Sequence, residues 1–310
     1  MSVALLFPGQ GSQSIGMLAD LAAAWPQVEE TFAEASDVLG YDVWQLAQSG
    51  PLEALNQTDK TQPAMLAAGV AVARVWQVAG GSTPSHMAGH SLGEYTALVC
   101  AEALAFTDAI KLVEKRGQLM QSAVPEGEGA MAAILGLSDE EVVAVCKSAA
   151  DLGVVQAVNF NSPGQVVIAG AKAAVERAAD MAKEKGAKRA LMLPVSVPSH
   201  CQLMKPAAEQ LTVVLAETRV SAPQTTVFHN ADVQSHADAD SIKRALVEQL
   251  YHPVRWVETI QALKAAGVTS VVECGPGKVL AGLNKRIDRR MTALPVFDEA
   301  SLAKSLEATT

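Results

Sequence analysis

Gly89-His90-Ser91-Leu92-Gly93 sets a serine between two glycines, after the apolar pair Met87-Ala88 and ahead of a helical pattern over 94–105. That is the layout of a nucleophile elbow, a sharp strand-to-helix turn that presents a hydroxyl above its sheet. The glycines remove Cβ atoms where strand and helix crowd, and they tolerate a strained turn. A helix beginning beside the serine aims free N–H groups at any oxyanion formed there. A second reading is open: Ser91-Leu92-Gly93-Glu94 also fits a capping box, in which the serine merely starts a helix.

A serine nucleophile needs a base. Among the six histidines, His90 adjoins Ser91, but consecutive side chains diverge at a tight turn, which makes it a structural residue. His86 falls at a strand start, His229 at a possible strand end, His236 in a polar loop and His252 beside Pro253. His200 follows the point where the chain returns from an inserted segment, so it is placed on a cleft between domains; a solvent-facing loop histidine is the alternative. Arg116, in Glu114-Lys115-Arg116-Gly117, is either part of a solvated helix face or a ligand group. The helix leaving Ser91 is expected to run about 13 residues, roughly 20 Å at 1.5 Å per residue. A turn at Phe106-Thr107 then sends the next helix back, bringing Arg116 to the level of Ser91. A guanidinium there could grip a carboxylate with two parallel hydrogen bonds.

The elements that must hold these groups read as α/β. An apolar run at 3–7 is a buried strand stopped by Pro8-Gly9, and 268–273 is another, stopped by Gly275-Pro276-Gly277 before a helix over 278–286. Helical patterns cover roughly 26–40, 61–78, 94–105 and 108–121. Buried strands alternating with helices indicate a mainly parallel, covered sheet. The loop Gly9-Gln10-Gly11-Ser12-Gln13 lacks both the P-loop lysine and GxGxxG spacing, so it is not read as a phosphate site.

The stretch 126–195 has its own pattern: strand 130–136, helix 138–150 capped by Ser138, strands 154–160 and 165–169 around Asn161-Ser162-Pro163-Gly164, helix 171–185 and strand 188–194. The order βαββαβ in about 70 residues is the ferredoxin-like plan. The expected fold is therefore an α/β-hydrolase-like large domain over 1–125 and 196–310, with a ferredoxin-like domain inserted at 126–195. A loose tail is expected after Ala300.

Composition sets outer limits. The chain has 310 residues, 49% hydrophobic and only 4% aromatic, enough for a large core of tightly packed helices on a sheet. A formal net charge of -9 argues against nucleic acid as a partner. No signal peptide or membrane span is read, since the apolar run 64–73 ends at Arg74, and a cytoplasmic location is expected. Cys100, Cys146, Cys201 and Cys274 are isolated, which points to neither a metal site nor a disulfide framework.

Taken in order, Phe7-Pro8-Gly9-Gln10-Gly11-Ser12-Gln13, Gly89-His90-Ser91-Leu92-Gly93-Glu94-Tyr95, Lys115-Arg116-Gly117, Asn159-Phe160-Asn161-Ser162-Pro163-Gly164-Gln165, Val197-Pro198-Ser199-His200, Gln249-Leu250-Tyr251 and Glu273-Cys274-Gly275-Pro276-Gly277 resemble the malonyl-CoA:acyl carrier protein transacylases of bacterial fatty acid synthesis. The likeness implies that Ser91 becomes malonylated and that His200 is its general base. It implies an oxyanion hole from the backbone N–H groups of Gln10 and Leu92, and a malonyl carboxylate bound by Arg116. It also implies that the carbonyl of Gln249, rather than an acid, orients the histidine, and it makes Asn161 a candidate for holding the pantetheine arm. Relatives often carry asparagine where this chain has His252. No cofactor or metal is implied. The partners implied are malonyl-CoA and, transiently, acyl carrier protein, with a monomer expected.

The carrier is expected to be acidic, so a local basic surface is needed: Lys285, Arg286, Arg289 and Arg290 form one candidate, and Lys185, Lys188 and Arg189 another. Three rivals stay open. A thioesterase or esterase would need an acid between Ser91 and His200, with Asp151 and Asp180 the nearest. A malonyl transferase of malonate decarboxylase or polyketide synthesis would share the chemistry. A non-catalytic carrier-binding scaffold would not need both Ser91 and Arg116.

Overall fold

The computed structural model describes residues 2–195 and 197–309. Its strands in chain order are β1 (Val3–Phe7), β2 (His86–Gly89), β3 (Gly129–Leu135), β4 (Val155–Ser162), β5 (Gln165–Ala171), β6 (Arg189–Met192), β7 (Thr226–Phe228), β8 (Ser270–Cys274) and β9 (Thr292–Val296).

One sheet has the order β7-β2-β1-β8-β9 and every pairing in it is parallel. Its central strand β1 is buried along its whole length, as an unbroken apolar run in a covered sheet must be. Alternate side chains divide between two cores, because successive residues of a strand face opposite ways. Val3, Leu5, Phe7 and Met87 pack with helices Thr58–Val78, Gly93–Cys100 and Phe106–Ser122. Ala4, Leu6 and Ala88 pack with helices Trp256–Ala265 and Val279–Ile287 on the other face.

The second sheet is antiparallel, in the order β4-β5-β3-β6. With helix Asp139–Ser148 after β3 and helix Lys172–Glu184 after β5, this is the ferredoxin-like βαββαβ arrangement. Both helices cover one face. The other face, with Met131, Val158, Val167 and Ala169, packs on Cys201, the residue after His200. Strand β4 is also tied to the later chain: Phe160 N–H donates to the Val254 carbonyl at 3.0 Å and Val254 N–H to the Val158 carbonyl at 2.8 Å. The small sheet thus braces the two segments, around 200 and around 250, that complete the site.

Several boundaries differ from the sequence expectation, each for a local reason. The helix after Ser91 ends at Cys100 rather than near residue 105, because Glu102 adopts a left-handed φ of 60° and turns the chain early. Strand β4 continues through Ser162 across a register shift, so the turn shrinks to Pro163-Gly164. Strand β6 covers only residues 189–192 of the expected 188–194. The tail expected to be loose is helix Glu299–Thr309, anchored by Leu302 at 2% exposure and started by Asp298, whose Oδ1 accepts from the Ser301 N–H at 2.7 Å. Among the described residues no helix is long and apolar enough to cross a membrane.

Candidate active site

The elbow is built from backbone crowding. A Cβ on Gly89 would lie 1.8 Å from the Gly93 carbonyl carbon, and one on Gly93 would lie 2.0 Å from the Phe7 carbonyl oxygen. Only hydrogen fits at either position, which accounts for both glycines of the motif. Ser91 between them takes φ 52°, the left-handed conformation that costs a non-glycine residue on the order of 1–3 kcal/mol. Its main chain is held there on both sides. The Ser91 N–H donates to Asn230 Oδ1 at 2.7 Å, and its carbonyl accepts from Gln249 Nε2 at 2.9 Å. The capping-box alternative fails, since the helix has no side-chain cap and Glu94 turns inward, away from the N-terminus of its helix.

Ser91 Oγ lies 2.7 Å from His200 Nε2, and His200 Nδ1 lies 2.7 Å from the Gln249 carbonyl oxygen. A carbonyl can only accept, so Nδ1 carries the hydrogen and Nε2 is left as the acceptor for the serine hydroxyl. His200 is buried, with φ 64°, and its own N–H is fixed on the Leu250 carbonyl at 3.0 Å. Burial first, and the Arg116 cation second, push its pKa down to about 3. The imidazole is accordingly a neutral acceptor at physiological pH.

Arg116 reaches the same point from helix Phe106–Ser122. It is 1% exposed. Nη1 donates to Gln62 Oε1 at 2.7 Å, Nη2 donates to Gln249 Oε1 at 2.9 Å, and Nη2 lies 3.5 Å from Ser91 Oγ. The guanidinium also lies over the Tyr95 ring, 5.3 Å from its centroid. Its hydrogen-bond acceptors are neutral amides and a hydroxyl, and among the described residues no carboxylate is close enough to form an ion pair with it. Burial pushes its pKa down. A cation in this position lacks its natural complement.

The other sequence candidates fall around this core. The backbone N–H groups of Gln10 and Leu92 have no acceptor among the described residues, so both are free to donate. Asn161 Oδ1 lies 2.8 Å from His90 Nε2, which fixes a half-buried histidine against the small sheet, while the Asn161 amide nitrogen has no partner among the described residues. His252 Nδ1 turns back to the Glu248 carbonyl at 3.1 Å, beside the Gln249 carbonyl and without touching it. A cavity of about 720 Å³ lies elsewhere, lined by Pro84 before β2 and Cys100 at the far end of the elbow helix, and contains none of these residues.

The chain matches the model of the acyl transferase domain over residues 4–295. The malonyl CoA-acyl carrier protein transacylase of Escherichia coli (strain K12) is 59% identical over 304 residues, covering 98% of each chain. That of Haemophilus influenzae is 61% identical over 299 residues, 96% of each. Among solved structures, the transacylase of Coxiella burnetii superposes with TM-score 0.98 at 53% identity, covering 100% of this chain and 98% of that one. A malonyl-transacylase solved with its type II PKS acyl-carrier protein gives TM-score 0.98 at 60% identity, covering 99% and 100%. The chain belongs to the acyl transferase family.

What the acyl transferase adds to its sequence motifs is a buried polar network that sequence reasoning missed. Glu94, Gln62, Asn230 and His229 are each at most 1% exposed. Glu94 Oε2 accepts from the Asn230 N–H and from Gln249 Nε2, both at 2.9 Å, and Oε1 lies 2.7 Å from His229 Nδ1. Asn230 Nδ2 donates to the Gly89 carbonyl at 2.7 Å, closing the ring around the elbow. Gln249 had a sequence signal for its carbonyl only; its side chain links Arg116, Ser91 and Glu94 as well.

Proposed function

We infer that this acyltransferase moves a malonyl group from malonyl-CoA to the phosphopantetheine thiol of an acyl carrier protein, through a malonyl ester on Ser91. The observation that carries the reading is a buried guanidinium, held only by neutral acceptors, 3.5 Å from the nucleophilic oxygen. An acyl tail bearing a free carboxylate fits that cation; an acetyl tail would leave it unanswered.

In the first half-reaction Ser91 Oγ attacks the thioester carbonyl as its proton passes to His200 Nε2. The oxyanion forms against the N–H groups of Gln10 and Leu92, each worth about 3–4 kcal/mol in the transition state. Collapse of the tetrahedral adduct breaks the carbon–sulfur bond, and His200 returns its proton to the departing thiolate of coenzyme A. The carrier's thiol then enters, gives its proton to His200, and reverses these steps to release the malonyl thioester and restore Ser91. Arg116 holds the tail carboxylate throughout, and the unpartnered amide nitrogen of Asn161 is assigned to the pantetheine arm. This exchange draws on no metal or cofactor.

The carrier-binding surface follows from charge. One residue of each basic cluster, Lys188 and Arg286, lines the same surface hollow, and Arg286 Nη1 donates to Gln165 Oε1 at 2.7 Å. An acidic carrier is assigned to the face around that hollow. Residues 126–195 are taken as a domain inserted into the catalytic one, 1–125 and 196–310. A single cytoplasmic chain supplies every group the reaction uses. The carrier of fatty acid synthesis is the assigned partner; the 60% identical transacylase solved with a type II PKS carrier makes the polyketide carrier the alternative.

The esterase reading is disfavoured by the partner of His200 Nδ1, which is a carbonyl, while Asp180 pairs with Lys183 on an exposed helix. The test is mass-spectrometric mapping of the adduct formed with malonyl-CoA. The malonyl group is expected on Ser91, absent in Ser91→Ala, and sharply reduced in Arg116→Ala while acetyl labelling from acetyl-CoA persists. Equal malonyl labelling of wild type and Arg116→Ala would overturn the role of the arginine.

A further inference from the structure

We propose that Glu94 is the displaced counter-ion of Arg116, a specificity-determining anion kept one amide away from the cation it balances. The proposal rests on the malonyl-transfer reading and deepens it.

The Glu94 side chain is fully buried and every contact it makes is with nitrogen. The Asn230 N–H and Gln249 Nε2 both donate to Oε2, which leaves no place there for a proton. His229 Nδ1 supplies the third contact, and the other ring nitrogen of His229 has no partner among the described residues. A neutral ring protonated on Nδ1 satisfies both facts, so the negative charge is not cancelled by the histidine.

Gln249 carries that charge to the cation. Its amide is oriented by acceptors, since Glu94 Oε2 and the Ser91 carbonyl both take the Nε2 hydrogens. Oε1 must then point the other way, where it accepts from Arg116 Nη2 at 2.9 Å. Anion, amide and cation form a line in which the two charges attract but do not touch. Against burial, the Tyr95 hydroxyl and the Glu94 carboxylate pull the Arg116 pKa back up. A direct ion pair would occupy the guanidinium and block the substrate. One amide of separation leaves Nη1 with a second hydrogen to offer and Nη2 with one that faces only Ser91 Oγ at 3.5 Å, at the cost of a residual negative field that an incoming carboxylate must overcome. Acetyl has no charge to feel that field.

The two substrates therefore respond differently to Glu94→Gln. In that variant the amide oxygen can take over both Oε2 contacts, and its NH₂ can face His229 in the other ring tautomer, so the charge is removed with the hydrogen bonds kept. Malonyl and acetyl transfer from their CoA thioesters are measured side by side for wild type, Glu94→Gln and Glu94→Asp. The KM for malonyl-CoA is expected to fall on the order of tenfold in Glu94→Gln, the scale of two charges roughly 10 Å apart at an effective dielectric of about 20. The acetyl-CoA KM is expected to change by a clearly smaller factor than the malonyl-CoA KM. The melting temperature of the free variant drops and recovers more than wild type when the enzyme is malonylated. Glu94→Asp, which keeps the charge but withdraws it from Gln249, shifts the malonyl KM the same way by less, and carries the test if Glu94→Gln does not fold. Parallel changes for the two substrates, or a rising malonyl KM, would overturn the proposal. Failure of wild type itself to take a malonyl label in the same assay would instead sink the underlying reading.

Discussion

His200 and Ser91 each sit in the left-handed region, at φ 64° and 52°, and each is pinned there by a hydrogen bond from its own N–H. Strain of this kind persists only where neighbours over-determine the geometry. The chemistry of His200 is set by burial and by Arg116, which together hold its pKa at about 3. Arg116→Met removes the second of these causes, so the His200 pKa is expected to rise while staying below its ordinary value of 6.5, because burial remains. Titration of the histidine ring by NMR checks this; an unchanged value would mean that the guanidinium does not act on the base. With Arg116 in the role proposed for it, a bound malonyl carboxylate would neutralise the same cation, so acylation should move the pKa in the same direction. The imidazole would then become a better proton carrier at the moment the thiol arrives.

The elbow is an arrangement of elements more than of side chains. Strand β2, strand β1 and helix Gly93–Cys100 approach so closely that two hydrogens decide whether they fit. Gly89→Ala is expected to destabilise the fold by more than about 3 kcal/mol, since its Cβ meets backbone that cannot move aside. A denaturant midpoint equal to wild type would contradict that packing argument. This part of the structure was legible in the sequence, because glycine spacing and an apolar strand leave few alternatives. The buried amides were not. Gln62 had no reading of its own and Gln249 one for its carbonyl only, because an amide side chain carries no motif, and only the folded neighbourhood shows that a cation needs their oxygens. The early end of the elbow helix escaped notice for a similar reason, as it depends on one left-handed residue, Glu102, with no glycine to mark it.

For the molecule as a whole, two buried groups bias stability against pH in opposite senses. His200 has a folded pKa of about 3 against 6.5 in the unfolded chain. The unfolded state takes up the proton first, so stability is complete above 6.5 and is lost as pH falls toward 3. Glu273, in β8, is pushed up to about 7 from 4.5 by burial, although the N–H groups of Ala281 and Leu280 pull the other way. Its contribution is complete below 4.5 and is lost as pH rises to about 7. Glu273→Gln should flatten the fall of melting temperature over that interval, and an unchanged slope would refute the assignment.

Charge works at this scale too. A chain of net charge -9 can attract an acidic partner only through a local basic face. Reversal of Lys188 and Arg286 together is expected to weaken carrier binding at low salt, with the effect shrinking as salt is added. Carrier affinity unmoved by that reversal would remove the face from consideration. The sequence offered two separate clusters here, and the fold brings one residue of each to one hollow.

Gln249 serves the site with three different atoms, its side-chain nitrogen holding the Ser91 carbonyl. Its peptide oxygen steers the imidazole, while its side-chain oxygen steadies the guanidinium. The peptide oxygen survives any substitution, so the contact that orients the base is insulated from mutation, whereas the holds on the guanidinium and on the Ser91 carbonyl are not. A lineage, or an engineer, that changes this one side chain therefore acts on the acyl-tail cation and on the elbow together, while the contact that steers the base is kept.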